Sequence, residues 1–131
     1  MRVRTTMLIG DQAGTIGVGV GKSSEYQEAM QKARASARRH TLVVPHGETI
    51  TRPVEAKFGS SRILLKPAPK GTSIKAGSVV RTVCQLAGIE NIVAKQLGSR
   101  NTMNVLGATI LALSKLQPKG LGSVILGELG E

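Results

Sequence analysis

The chain is short of aromatic residues: Tyr26 and Phe58 are the only two in 131 residues, and tryptophan is absent. A core built from this sequence must be aliphatic, and base stacking on aromatic platforms is excluded as its main way of holding nucleic acid. Cysteine is nearly absent too. With Cys84 alone there is no intramolecular disulfide, and a structural zinc site lacks its usual thiolates. The lone thiol suits a reducing compartment. His40 and His46 are the only histidines, and no third ligand type clusters with them, so no metal site is expected. No stretch reaches the roughly 18 apolar residues of a membrane span; the uncharged run from Asn101 to Ser114 is too short. Met1-Arg2-Val3-Arg4 is not followed by the apolar region of a secretory signal. Acidic residues are scarce as well. Eight Asp or Glu stand against 18 Lys or Arg, for a formal charge of +10.

That excess points to a polyanion, with nucleic acid first and an anionic membrane surface second. It is spread along the chain: seven basic and three acidic groups in residues 1–40, six and two in 41–75, five and three in 76–131. A basic tail on a neutral body is therefore ruled out. The folded body itself is positive, most strongly over its first 75 residues.

Val3, Thr5, Met7 and Ile9 alternate with polar neighbours and read as a half-buried strand. Asp11-Gln12-Ala13-Gly14 reads as a turn, and Thr15 to Lys22 as the second strand of a hairpin. Gly17, Gly19 and Gly21 fall on one face of that strand, which suggests close approach by another backbone. A helix is expected for Gly17, with Gly19 and Gly21 open to either helix or RNA. Ser24-Glu25-Tyr26-Gln27 has the capping-box pattern and should open a helix to about His40. Its apolar stripe is Tyr26, Ala29, Met30, Ala33 and Ala37. Leu42 to Val44 is a short strand. Val54 to Ser60 and Arg62 to Lys66 are two more, joined near Gly59, before an irregular loop marked by Pro67, Pro69 and Gly71. Ala76 to Ala87 reads as a helix closed by Gly88, Ile89 to Leu97 as a strand, and Asn101 as the cap of a last helix that ends by Pro118. The order ββα then βββαβα makes the class α+β.

No catalyst is visible. Gly21-Lys22-Ser23 resembles the end of a phosphate-binding loop, but Ile16 stands where that loop needs its first glycine. Gly120-Leu121-Gly122-Ser123 resembles the glycine loop of galactokinase-type enzymes, yet only eight residues follow it, too few for the helix such a loop requires. Cys84 lies on an apolar helix face and is expected to be inert. Nothing forms an acid/base pair, so no small-molecule substrate and no cofactor are expected.

The hairpin Gly10-Asp11-Gln12-Ala13-Gly14-Thr15-Ile16-Gly17-Val18-Gly19-Val20-Gly21-Lys22 resembles a signature of the small-ribosomal-subunit protein five family, of the bacterial and organellar type. Glu55-Ala56-Lys57-Phe58-Gly59-Ser60-Ser61-Arg62-Ile63-Leu64-Leu65-Lys66-Pro67-Ala68 resembles its second signature. Gly71-Thr72, Ala76-Gly77, Leu86-Ala87-Gly88-Ile89, Ala94-Lys95, Gly98-Ser99, Asn104 and Ala108-Thr109 continue the match in order, over roughly residues 2–116. The resemblance implies a structural protein that binds small-subunit rRNA near the body–head junction, beside ribosomal proteins four and eight and the channel by which mRNA enters. It implies two parts: residues 1–45 as an incomplete domain like double-stranded-RNA-binding modules, and residues 46–117 as a four-stranded sheet with two helices, followed by a tail at 118–131. The second fold is shared with the kinases just mentioned, which makes a degenerate kinase-fold enzyme one rival reading; a free-standing RNA chaperone or regulator is the other.

The chain departs from the family pattern in places. The family's further N-terminal strand and basic loop have no counterpart before Arg2. Lys75, Ser78, Arg100 and Thr102 replace an aliphatic residue, a glycine, an asparagine and a proline, and Gly107 stands where the family usually has arginine. The rRNA-binding set expected from charge and resemblance together is Arg2, Arg4, Lys22, Lys32, Arg34, Arg38, Arg39, Lys57, Lys75 and Arg100. Phe58 and Arg62 are expected at a protein interface, with Phe58 packed beneath Arg62. Location on the small subunit follows, in an organelle or a bacterium, with a lean to the organelle.

Overall fold

The computed structural model describes residues 2–44 and 46–116. Strands β1 (Val3–Gly10) and β2 (Thr15–Ser23) form the expected hairpin, in a register that sets Arg4 opposite Lys22 and Gly10 opposite Ile16. The turn is held by Asp11, whose carboxylate accepts from the backbone N–H of Ala13 at 2.8 Å and of Thr15 at 3.0 Å. Those two bonds hold its carboxyl below the usual value. Helix α1 (Tyr26–Arg39) follows, and β3 (Thr41–Val43) returns to pair antiparallel with β2, giving the order β1-β2-β3.

All three strand glycines face α1. A side chain at Gly17, Gly19 or Gly21 would run into the carbonyl oxygens of Ala37, Ala33 and Ala29 in turn. Gly19 and Gly21, left open by the sequence, therefore serve helix packing. The matching helix stripe is Ala29, Ala33, Ser36 and Ala37, all buried. Tyr26, expected on that stripe, is instead 61% exposed. The capping box does not form either: Glu25 takes the N-cap position without a side-chain bond, and the Ser23 hydroxyl, one residue ahead of the expected cap, accepts from Glu25 N–H at 3.3 Å.

The second sheet has strands β4 (Val54–Phe58), β5 (Ser61–Pro67), β6 (Ile74–Lys75) and β7 (Ile92–Gly98) in the order β4-β5-β7-β6. The two-residue β6 pairs parallel to β7 and was invisible to periodicity, which needs at least four residues to register. Between β6 and β7 lies α2 (Ser78–Ala87), ended by Gly88 in the left-handed conformation, as expected. Helix α3 (Thr102–Ser114) is capped by the Asn101 carboxamide, which accepts from Met103 and Asn104 N–H. The chain beyond residue 116, including Pro118 and the glycine run 120–123, lies outside the described residues.

The layers run α1, first sheet, α2 with α3, second sheet. Ile16, Val18 and Leu42 project from the first sheet away from α1 into one buried cluster with Val83, Cys84 and Ile110, and that cluster continues to Ile63, Leu65 and Ile92 of the second sheet. Backbone bonds add to this apolar contact. Gln12 N–H donates to Leu86 O at 2.8 Å, Gly14 N–H to Ala87 O at 3.0 Å, and Gly47 N–H to Gly88 O at 2.9 Å. These are the carbonyls a helix C-terminus leaves without partners of its own.

Candidate nucleic-acid interface

Two faces of the molecule carry the basic excess. The first is built by α1, with the open end of the hairpin beside it. Burial of the alanine stripe turns Lys32, Arg34, Arg38 and Arg39 outward, and all four are exposed. At about 100° per residue, Arg34 and Arg38 share one line of the helix and Lys32 and Arg39 another. Arg38 and Arg39 occupy the last turn, where the helix dipole favours cations. Lys32 is engaged twice: its ammonium lies 3.3 Å from the Glu28 carboxylate and donates to Lys22 O at 3.3 Å. The bond from Lys32 holds the Glu28 carboxyl below its usual value. That second bond ties the helix to the hairpin end, where Lys22, Arg4 and Arg2 lie exposed. Arg4 and Lys22 are direct cross-strand partners, but they share the side of the hairpin that carries Thr6 and Val20, turned away from α1, so they flank the helix cations instead of extending their face.

The second face is the side of the β4-β5-β7-β6 sheet turned away from α3. Strand alternation sends Val54, Ala56, Ile63 and Leu65 inward and Glu55, Lys57, Arg62, Leu64 and Lys66 outward. On β7, Val93, Lys95 and Leu97 share that outward side, and Lys75 of β6 joins it as the partner of Val93. Lys57 and Lys75 of the expected rRNA set thus meet on one face with Arg62, which was expected at a protein interface, well apart from the α1 group. Lys66 and Lys95 also stand there and were missed, although the period-two spacing of 62, 64, 66 and of 93, 95, 97 carries the signal. Arg62 Nε lies 3.2 Å from Glu55 Oε1, the one acid of the face.

Phe58 is not beneath Arg62. It lies on the opposite side of the hairpin, toward α3, because 54, 56 and 58 share one face of β4; its ring covers Gly107. Arg100 stands apart from both faces, over a polar cavity of about 440 Å³ lined by Gly77, Ser78, Gln96 and Thr102. Among the described residues no cluster of His, Cys, Asp or Glu could hold a metal ion, and no helix is long and apolar enough to cross a membrane. Burial pushes the Cys84 thiol up to about 12, so it is no nucleophile.

The family model for ribosomal protein S5, N-terminal domain, matches residues 1–45, and that for ribosomal protein S5, C-terminal domain, matches residues 56–119. Curated relatives agree. The small ribosomal subunit protein uS5c of Spinacia oleracea is 45% identical over 119 residues, covering 89% of this chain and 39% of that protein. The uS5c of Cyanophora paradoxa is 41% identical over 116 residues, covering 87% of this chain and 69% of its own. The uS5 of Thermus thermophilus is 44% identical over 119 residues, covering 90% and 74%. The chain thus spans about two-fifths of the spinach relative and about seven-tenths of the other two. With both family models matching in order on the two sheets that carry the basic faces, the chain belongs to the ribosomal protein S5 family.

Proposed function

We propose that this chain is a structural, non-catalytic constituent of the small ribosomal subunit and holds small-subunit rRNA. The observation that carries this reading is the exposed basic face of α1 and the hairpin end, on a chain whose relatives are named small-subunit proteins. Lys32, Arg34, Arg38 and Arg39 supply the cations of α1, with Arg34 and Arg38 reaching outward together, and Arg2, Arg4 and Lys22 add cations at the hairpin end, where Arg4 and Lys22 stand on the side of the sheet away from the helix. A duplex read by its phosphates and 2′-hydroxyls suits a surface of cations on which Tyr26 is a lone aromatic side chain. Lys57, Lys75 and Arg100 add to the basic set from the second part. The boundary between the two parts is proposed at residue 45.

Arg62, fixed by Glu55 at the turn between β4 and β5, is assigned to contact with a neighbouring ribosomal protein, with ribosomal proteins four and eight and the mRNA channel as the expected surroundings. The subunit is that of an organelle or a bacterium; relatives named uS5c and uS5 match at 45% and 44% identity. The test is titration of the full chain onto small-subunit rRNA across a range of salt. Contact with ~5 phosphates gives a slope of several units in log K against log salt. Replacing Arg38 and Arg39 by Ala lowers that slope by ~2 units. A flat salt response would refute the reading. A free-standing RNA chaperone would give the same slope but would leave the small subunit in high-salt gradients, and the structural constituent stays.

A further inference from the structure

We infer that the open edge of β1 takes up an extended segment of another polypeptide as a fourth strand, apolar at two alternate positions and acidic at a third. The inference goes beyond the rRNA reading and does not rest on it. β1 lies at the end of the order β1-β2-β3, so one of its long sides has no strand beside it among the described residues. Every second residue there turns a backbone N–H and C=O outward, over eight residues or roughly 26 Å. The other sheet edges are blunted. β3 has three residues and β6 two. β4 follows Pro53, and the Lys115 ammonium donates to its Glu55 carbonyl at 2.7 Å. β1 has none of these devices. Its pairing with β2 runs from Val3 and Ser23 to Gly10 and Ile16 without a bulge, it contains no proline, and Arg4 is its only charged residue. Natural sheets either protect such an edge or pair it.

What borders the edge sets the chemistry of the segment. Thr5, Met7 and Ile9 point to the α1 side of the sheet, and Arg4, Thr6 and Leu8 to the α2–α3 side. Thr5 to Ile9 are half-buried whereas Ile16 to Gly19 of β2 are buried, so β1 is covered above and below and lacks cover at its side. Thr6 and Leu8 form one wall of an apolar groove of about 210 Å³; Val79 and Thr82 of α2 with Met103 and Leu106 of α3 form the other. A strand added antiparallel, like the other pairings of this sheet, sets one residue opposite Leu8, one opposite Thr6 and one opposite Arg4, all on the groove side. The first two enter the groove and must be apolar. The third stands beside Arg4, which already faces Lys22 on its other flank, so a carboxylate suits it. Main-chain bonds supply the affinity of such an added strand, and the alternate side chains its specificity. A second copy of this chain fits less well. Two β1 edges joined about a two-fold axis would bring two α1 helices onto one face of the joined sheet, each with Lys32, Arg34, Arg38 and Arg39, on chains of charge +10.

The test titrates the full chain with the synthetic peptide acetyl-Thr-Val-Thr-Leu-Thr-Glu-Thr-amide, which sets Val against Leu8, Leu against Thr6 and Glu against Arg4. Binding should be measurable below ~1 mM, and the same peptide with Lys in place of Glu should bind about tenfold more weakly. Two N-methylated forms read the backbone. Methyl groups on the Thr amides or on the Val, Leu and Glu amides should abolish binding in one case and leave it intact in the other, because only one set of N–H groups points at β1. The peptide should also slow deuterium exchange at alternate amides of β1, a readout that needs no variant to fold. Thr82→Arg, at an exposed helix position, should crowd the groove and weaken the peptide about tenfold. If the parent peptide does not bind at ~1 mM, or if both methylated forms match it or both fail, no strand is added and the proposal fails. If the β1 amides already exchange slowly without peptide, sedimentation assigns the cover: a dimer means a second copy, a monomer means the chain's own residues, and either overturns the proposal.

Discussion

The ring of Phe58 lies directly over Gly107 of α3, so that a side chain added at 107 would meet the ring edge, with Cε2 at 2.7 Å. The pair explains why a glycine sits inside a helix, where it costs about 1 kcal/mol relative to alanine. The effect of Gly107→Ala should therefore depend on residue 58. In the native background it should destabilise the chain or leave it level, since the ring must shift. In a Phe58→Ala background it should stabilise by up to about 1 kcal/mol. Urea denaturation of the four proteins reads the coupling, and equal effects in both backgrounds would break the link.

The glycines under α1 should be less forgiving. At Gly19 and Gly21 the obstacle is helix backbone, which cannot swing aside. Either change to Ala should cost about 3 kcal/mol, from overpacking against a fixed neighbour. Gly71 is the control: its φ is +96° but nothing lies within 4 Å of an added Cβ. There the cost should be only the left-handed strain of ~1–2 kcal/mol. Similar midpoints for Gly21→Ala and Gly71→Ala would contradict the packing account.

Asp11 should give the chain part of its acid sensitivity. Its folded pKa is depressed below 3.8 by the bonds from Ala13 and Thr15. The stabilising contribution is thus present above the ordinary carboxylate pKa and lost as pH falls through the folded one. Asp11→Asn keeps an oxygen acceptor for the turn but cannot titrate. Melting temperatures taken below about pH 5 should fall more steeply for the native chain than for this variant. Parallel curves would show that the turn does not depend on the charge.

Cys84 titrates with the opposite sign. Burial raises its folded pKa to about 12, so the contribution is complete below the ordinary thiol value and drains away as pH climbs toward 12. At about pH 8.5, where a free thiol is half ionised, iodoacetamide should label Cys84 slowly in the folded chain and quickly in urea. Fast labelling of the folded chain would mean that the α2–α3 layer opens readily.

Most of the elements were legible because they obey one period each. β1, β2, β4 and β5 alternate, α2 and α3 carry their caps at Gly88 and Asn101, and the glycine face of β2 announced a close neighbour. What escaped depended on tertiary context. Tyr26 fits a helical stripe, but it is the first residue of α1 and its ring stays in water. Ser24 fits a capping box, but Ser23 stands closer to the first free N–H. β6 exists only because β7 is beside it. Among the candidate residues, the α1 cations could be read from the stripe they avoid. The union of Lys57, Lys66, Lys75 and Lys95 could not, because it depends on a strand order, β4-β5-β7-β6, that no local spacing encodes.

The bonds from Gln12 and Gly14 to the last carbonyls of α2 have a consequence for how this protein tolerates change. Main-chain atoms join the first sheet's hairpin to α2 there, and point substitutions leave main-chain atoms in place. These bonds are therefore buffered against sequence drift in a way that the apolar contacts of Ile16, Val18 and Leu42 beside them are not. They are also all-or-none: melting the hairpin would strip the C-terminus of α2 of its acceptors' partners, and fraying that helix would leave the hairpin tip without a seat. The two parts can diverge in surface chemistry while continuing to unfold together, so a binding event on one basic face steadies the scaffold that presents the other.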